Sequence, residues 1–148
     1  MSRPAPPKPP SEQIALCNTG RTHLNIGEPA LALRSFDEAL QVMAAGGAHW
    51  NAERETRLGR AQAFRTLGRL EQAEEACTAL LQETTARGDS YGRGLTEHEL
   101  GHVLSALGDE HTARRRWHSA LSALEGTDAQ VLADLRALTS DATVAAGP

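Results

Sequence analysis

The sequence predicts an all-α fold of three helical hairpins stacked side by side and closed by a C-terminal helix. Three observations carry that prediction. First, a signature of small, glycine, alanine, bulky and paired apolar residues recurs as Gly20, Gly27, Ala32, Phe36, Ala39 and Leu40, then as Ala61, Gly68, Ala73, Cys77, Leu80 and Leu81, then as Gly101, Gly108, Ala113, Trp117, Ala120 and Leu121. The frames start 41 and 40 residues apart, a period typical of arrays in which one supersecondary unit is copied because it cannot bury its own apolar face. Second, apolar residues within each frame are separated by steps of three and four, which places them on one helix face. Third, only 3% of the chain is aromatic, so alanine and leucine must fill the interior, as they do in helical proteins.

The elements follow in order. Residues 1–10 hold five prolines, which remove backbone donors, and are expected to form a polyproline-like disordered tail. Helices are expected over 11–26, 29–45, 50–67, 70–86, 91–107, 110–124 and 128–138. Ile26-Gly27, Leu67-Gly68 and Leu107-Gly108 punctuate the first three pairs, where glycine can take the left-handed conformation that closes a helix. Pro29 then suits the first turn of the next helix. The small residues Gly20, Ala61 and Gly101 and the alanines 32, 73 and 113 allow backbones to approach, while Phe36, Cys77 and Trp117 fill the space between neighbours. The polar, glycine-rich stretch from Glu83 to Gly94 is expected to absorb the extra length of the repeat between hairpins. The last helix, with Val131, Leu132, Leu135 and Leu138 on one side, has no partner hairpin and caps the stack. A helical repeat domain over 11–139 is followed by a disordered tail, 140–148.

Bulk properties limit the function. A net charge of −4 over 148 residues provides no general attraction to nucleic acid or to anionic lipid. Fourteen of the fifteen basic residues are arginine, which, with abundant Ala and Gly, reads as the bias of a GC-rich bacterial genome. Arg114, Arg115 and Arg116 are consecutive on a helix and point in different directions, so they read as a solvated face. Cys17 and Cys77 form no CxxC and suit a reducing compartment. No apolar run can span a bilayer, and prolines stand where a signal peptide needs its hydrophobic region. The expectation is a cytoplasmic protein.

Leu100-Gly101, Gly108, Ala113, Trp117 and Ala120 resemble the signature of the tetratricopeptide repeat. The likeness covers residues 13–124, and the 40-residue period resembles the longer repeats of bacterial regulators and signalling adaptors. Thr19 and Arg60 depart from the family's Leu, and Arg57 and Glu97 from its early large apolar residue. The resemblance implies a right-handed α-solenoid that is non-catalytic and binds a peptide or protein segment in a concave groove lined by the first helices. Carried over position by position, the groove residues are Arg21 and Asn25 with Cys17, then Leu58, Gln62 and Arg65 with Thr66, then His98 and His102 with Ser105. The lysines and asparagines of chaperone-tail clamps are missing from these places. Arg21 and Arg65 could still favour an acidic segment, since a guanidinium forks a carboxylate.

One motif argues for chemistry. His98-Glu99-Leu100-Gly101-His102 matches HExxH, which sets two imidazoles on one helix face to bind zinc and a glutamate to activate the bound water. Glu110 and His111 are the nearby candidates for a third ligand. Against it, Leu100 and Gly101 are already required by the repeat, Ser105 and Gly108 stand where the matrixin-like continuation needs glycine and histidine, and no strand is predicted to hold a substrate. No catalytic residue, cofactor or resident metal is therefore expected, with His98 and His102 left as a pair able to take a divalent metal or touch a partner. The functional expectation is an interaction scaffold or adaptor, of the kind that serves bacterial regulation. The alternatives are a zinc-dependent peptidase, a structural homo-oligomer, and the sensory part of a regulator whose DNA-binding domain lies on another polypeptide.

Overall fold

The computed structural model describes residues 10–140, and among them every element of regular structure is helical: α1 (Pro10–Asn25), α2 (Pro29–Gly46), α3 (Trp50–Thr66), α4 (Leu70–Ala86), α5 (Ser90–Ala106), α6 (Glu110–Leu124) and α7 (Leu132–Leu138). The tails expected over 1–10 and 140–148 lie outside the described residues, except for Pro10, which opens α1, and Ser140, which follows α7. No described helix is long and apolar enough to cross a membrane.

Four helix ends share one turn chemistry. Gly27, Gly68, Gly88 and Gly108 have φ of 81°, 77°, 68° and 91°. In each turn the residue after the glycine donates its N–H back to a carbonyl inside the preceding helix: Glu28 to His23 at 2.7 Å, and Arg69 to Phe64, Asp89 to Thr84 and Asp109 to Leu104 at 2.9 Å each. This is the Schellman closure, which needs a left-handed residue that glycine supplies without a Cβ clash. Asp89 and Asp109 then cap the next helix, their side chains accepting from the Gly92 and Thr112 N–H groups at 2.9 and 3.2 Å. The Thr112 hydrogen bonds hold the Asp109 carboxyl below its ordinary 3.8.

The turn at Gly88 corrects one expectation. The stretch from Glu83 to Gly94 is not a long connector, because α4 runs to Ala86 and α5 begins at Ser90. The extra length of the repeat therefore lies in the helices, which reach 17 residues in α3, α4 and α5. The opposite correction applies to the last helix, which begins at Leu132 and not at 128. Gly126, at φ 85°, breaks the chain after α6, and Thr127 accepts the Ala129 N–H through its hydroxyl at 3.2 Å, diverting backbone groups that a helix would use.

The chain divides into two compact units, one ending at Arg69 and the other beginning at Leu70. In the first, α1 packs on α2 and α3, and α2 on α3. Phe36, fully buried, fills the slot between α1 and α3. A Cβ at Gly20 would stand 2.7 Å from its ring, and one at Gly59 only 2.5 Å, so both glycines are there to admit an aromatic ring against bare backbone. Cys17, Ala32 and Ala63 complete this cluster, with Leu24 and Leu33 at its edge. On the surface, Arg60 Nε meets Asp37 Oδ1 at 2.6 Å and its guanidinium lies 4.6 Å from the centre of the Phe64 ring, linking α3 to α2.

In the second unit α4 packs on α5, α5 on α6 and α6 on α7. Gly101 lies against the Trp117 indole and Gly94 against Leu124: a Cβ at Gly101 would fall 2.5 Å from Trp117 Cδ1, and one at Gly94 2.6 Å from Leu124 Cγ. Leu132 and Leu135 are buried, as a capping helix requires. The repeat is thus visible in burial. Ala32, Ala73 and Ala113, Phe36, Cys77 and Trp117, and Ala39, Leu80 and Ala120 are all buried, while Leu40, Leu81 and Leu121 are only partly covered.

The sequence departure at Glu97 has a structural answer. Its carboxylate is buried on α5, where Oε1 receives the Arg93 guanidinium at 3.1 Å and Oε2 has no hydrogen-bond partner. A charge in that setting is tolerated because one turn earlier the same helix supplies its counter-ion.

Candidate functional site

The expected groove residues fall on three helices, α1 and α3 in the first unit and α5 in the second. In the first unit, Arg21 and Asn25 stand on α1 and Leu58, Gln62 and Arg65 on α3. Asn25 is exposed, and Arg21, Gln62 and Arg65 are half-buried. Arg21 Nη2 reaches across to Glu55 Oε1 at 3.1 Å, both side chains being well exposed. Such a surface pair contributes about 0–1 kcal/mol, so it orders the face without locking it. Leu58 and Cys17 behave differently. At 9% and 6% exposure they belong to the interior and offer little to a partner, because apolar side chains at those positions turn toward the packed side. Glu55 is the polar member of this face that sequence reasoning missed. It stands 34 residues from Arg21, and no local pattern connects the two.

In the second unit, His98 and His102 project from one face of α5, four residues apart, and the structure adds a third group from α7. His98 Nε2 lies 2.6 Å and His102 Nε2 3.0 Å from the same oxygen, Asp134 Oδ2, and the two imidazole nitrogens are 3.3 Å apart. The rings meet edge to face at 4.7 Å, and His102 packs edge-on against Trp117 at 5.4 Å. Trp117 Nε1 donates to the His98 carbonyl oxygen at 3.2 Å, fixing the backbone turn that carries the first imidazole. The His98 and His102 side chains are 12% and 27% exposed and Asp134 is 49% exposed, so the cluster has one covered side and one open to solvent.

Electrostatics follow from that half-burial. Burial is the largest influence on His98 and pushes its pKa below the ordinary 6.5; neighbouring His102 acts in the same direction, while the hydrogen bond to Asp134 opposes both. His98 is therefore a neutral imidazole at pH 7. For Asp134 the largest single influence is burial, which raises its pKa, yet the two histidine hydrogen bonds and charges together outweigh it and hold the carboxyl below 3.8. Asp134 is the ionised acceptor of the cluster.

The third-ligand candidates from sequence stand elsewhere: Glu110 accepts a hydrogen bond from the Ser105 hydroxyl, and His111 is exposed. Asp134 was not legible because it lies 36 residues from His98, on a helix recognisable only by its apolar side. Glu99, the general base that HExxH would need, is 1% exposed and is not among the groups gathered around Asp134 Oδ2. Beside the cluster, Ser105, Glu110, Arg114, Trp117, Ala137 and Leu138 line a cleft of about 520 Å³.

No protein-family model and no curated protein matches this sequence. Among solved structures, the crystal structure of the TPR domain of Arabidopsis FLU superimposes with a TM-score of 0.69 at 21% identity, over 78% of this chain and 96% of that one. This chain has the fold of a tetratricopeptide-repeat domain.

Proposed function

We propose that the domain is a non-catalytic scaffold that binds a segment of another protein along the polar faces of its first helices, in the cytoplasm and in the service of bacterial regulation. The observation that carries this reading is the set of polar side chains that α1 and α3 leave at the surface. Phe36, Ala32 and Ala39 on α2 and Trp117, Ala113 and Ala120 on α6 are consumed by packing, whereas α1 and α3 keep Asn25 exposed and Arg21, Gln62 and Arg65 half-exposed. Polar side chains held on rigid helices suit recognition of an extended segment, because little ordering is left to occur on binding. An acidic segment fits the first unit: its carboxylates would displace the exposed Glu55 from Arg21, exchanging one surface ion pair for another.

The peptidase reading has less support, since the buried Glu99 is poorly placed to activate a water and the described residues contain no strand to align a substrate. It predicts peptide cleavage that disappears in Glu99→Ala. The scaffold reading is tested by affinity capture from cells with the wild type and with Arg21, Gln62 and Arg65 replaced together by Ala, folding being checked by circular dichroism. Loss of the captured proteins supports the reading. Their undiminished retention on the folded variant contradicts it.

A further inference from the structure

We propose that His98 Nε2, His102 Nε2 and Asp134 Oδ2 form a binding site for a divalent transition metal, Zn²⁺ above others, that fastens α7 to α5. Three donor atoms of the right chemistry converge from two helices, at 2.6, 3.0 and 3.3 Å from one another. A tetrahedral zinc ion with bonds near 2.0–2.1 Å holds its donors roughly 3.3 Å apart. The two imidazole nitrogens already have that separation. Asp134 Oδ2, now 2.6 Å from His98 Nε2 and 3.0 Å from His102 Nε2, must withdraw by up to about 0.7 Å to reach that spacing, a shift open to a half-exposed side chain on a short helix. All candidate ligand atoms in the cluster lie within 4.8 Å of one another.

The donor set selects the ion. Two imidazoles and one carboxylate suit zinc, copper, nickel or cobalt, whereas calcium and magnesium require shells made mainly of oxygen. Three protein ligands leave a fourth position, and the exposed side of Asp134 gives water access to it. Glu99 lies outside the cluster, so the site is assigned a structural role. It would pin the C-terminal helix, whose 7 residues are too few to be stable without tertiary support. A metal-free pair of His–Asp hydrogen bonds is the competing description of the same atoms.

The test uses the full chain, stripped with a chelator and titrated with Co²⁺. Binding of one equivalent at micromolar protein, with the visible absorption of a four-coordinate nitrogen and oxygen site, quenching of tryptophan fluorescence through the His102–Trp117 contact, and displacement by Zn²⁺, is the expected result. Asp134→Asn keeps shape and removes the charged donor; it should weaken binding by at least about tenfold, since even outer-shell changes reach 10–100-fold. His118→Ala, an exposed histidine outside the cluster, should bind as the wild type does. Zn²⁺ should raise the melting temperature of the wild type and not of Asp134→Asn. The proposal is overturned if no absorption band forms, if Co²⁺ binds only at millimolar concentration, or if Asp134→Asn and His98→Gln bind as tightly as the wild type.

Discussion

Replacing Gly101 by Ala tests the packing logic of the hairpins through the sign of its effect. Gly101 sits inside α5 with helical backbone, so helix propensity alone makes Gly101→Ala stabilising by about 1 kcal/mol. The structure predicts the opposite. The added methyl would stand 2.5 Å from Trp117 Cδ1 and 2.8 Å from Cε2, and the ring cannot yield freely because it is 5% exposed and its Nε1 is tied to the His98 carbonyl. Overpacking of a core typically costs roughly 1–3 kcal/mol, and displacing the indole forfeits a hydrogen bond with a net worth of about 0.5–1.5 kcal/mol. Set against the propensity gain, the net effect is a destabilisation of about 0.5–3.5 kcal/mol. Urea unfolding followed by far-UV circular dichroism and by tryptophan fluorescence should show a lower midpoint at unchanged slope. In a Trp117→Phe background, where the indole edge is gone, Gly101→Ala should cost less, with a coupling energy of about 0.5–3 kcal/mol. A neutral or stabilising Gly101→Ala, or additivity with Trp117→Phe, would refute the reasoning.

Other expectations follow from the same geometry. Gly59→Ala drives a methyl into the fully buried Phe36 ring and should destabilise by roughly 1–3 kcal/mol in the same assay. Asp89→Ala removes the cap on Gly92 and should cost about 1 kcal/mol, with no change in helix content by circular dichroism under native conditions. Arg60→Ala should cost no more than about 1 kcal/mol, since its partners Asp37 and Phe64 are met at a partly exposed surface. Because His98 titrates below 6.5 in the fold, the unfolded chain binds more protons between that lowered value and 6.5. Stability should therefore fall as pH drops through that window and level off beneath it. Proton NMR titration of the His98 ring in chelator-treated protein should give a midpoint below that of an unstructured peptide, and a midpoint at or above 6.5 contradicts the account.

The local grammar of the fold was legible in the sequence, because each signal acts within a few residues of its cause. Gly27, Gly68 and Gly108 mark turns through their own φ, and the steps of three and four around Phe36, Cys77 and Trp117 fix which face is buried. The break between 86 and 91 was expected, but its closure at Gly88 was not, because Arg87 stands where the other turns have an apolar residue before the glycine. The start of α7 was placed too early because the apolar spacing begins at Val131 while Thr127 competes for backbone hydrogen bonds. Gly59 was missed because it lies outside the repeated signature, and its reason for being glycine is a ring on another helix.

The candidate sites divide in the same way. Arg21, Gln62, His98 and His102 could be placed on helix faces by counting. Their partners Glu55 and Asp134 could not, since pairing across helices is set by how the backbones cross. Leu58 illustrates the converse: a position that corresponds to a groove residue becomes interior when its side chain is apolar and its neighbours leave room.

The first helices, and not the second, are the ones that meet the partner. A photo-reactive residue placed in living cells at Gln62 on α3, or at the exposed Thr78 on α4, measures this directly. A discrete cross-linked species is expected from Gln62 and none from Thr78. Cross-linking from Thr78 with none from Gln62 would contradict it.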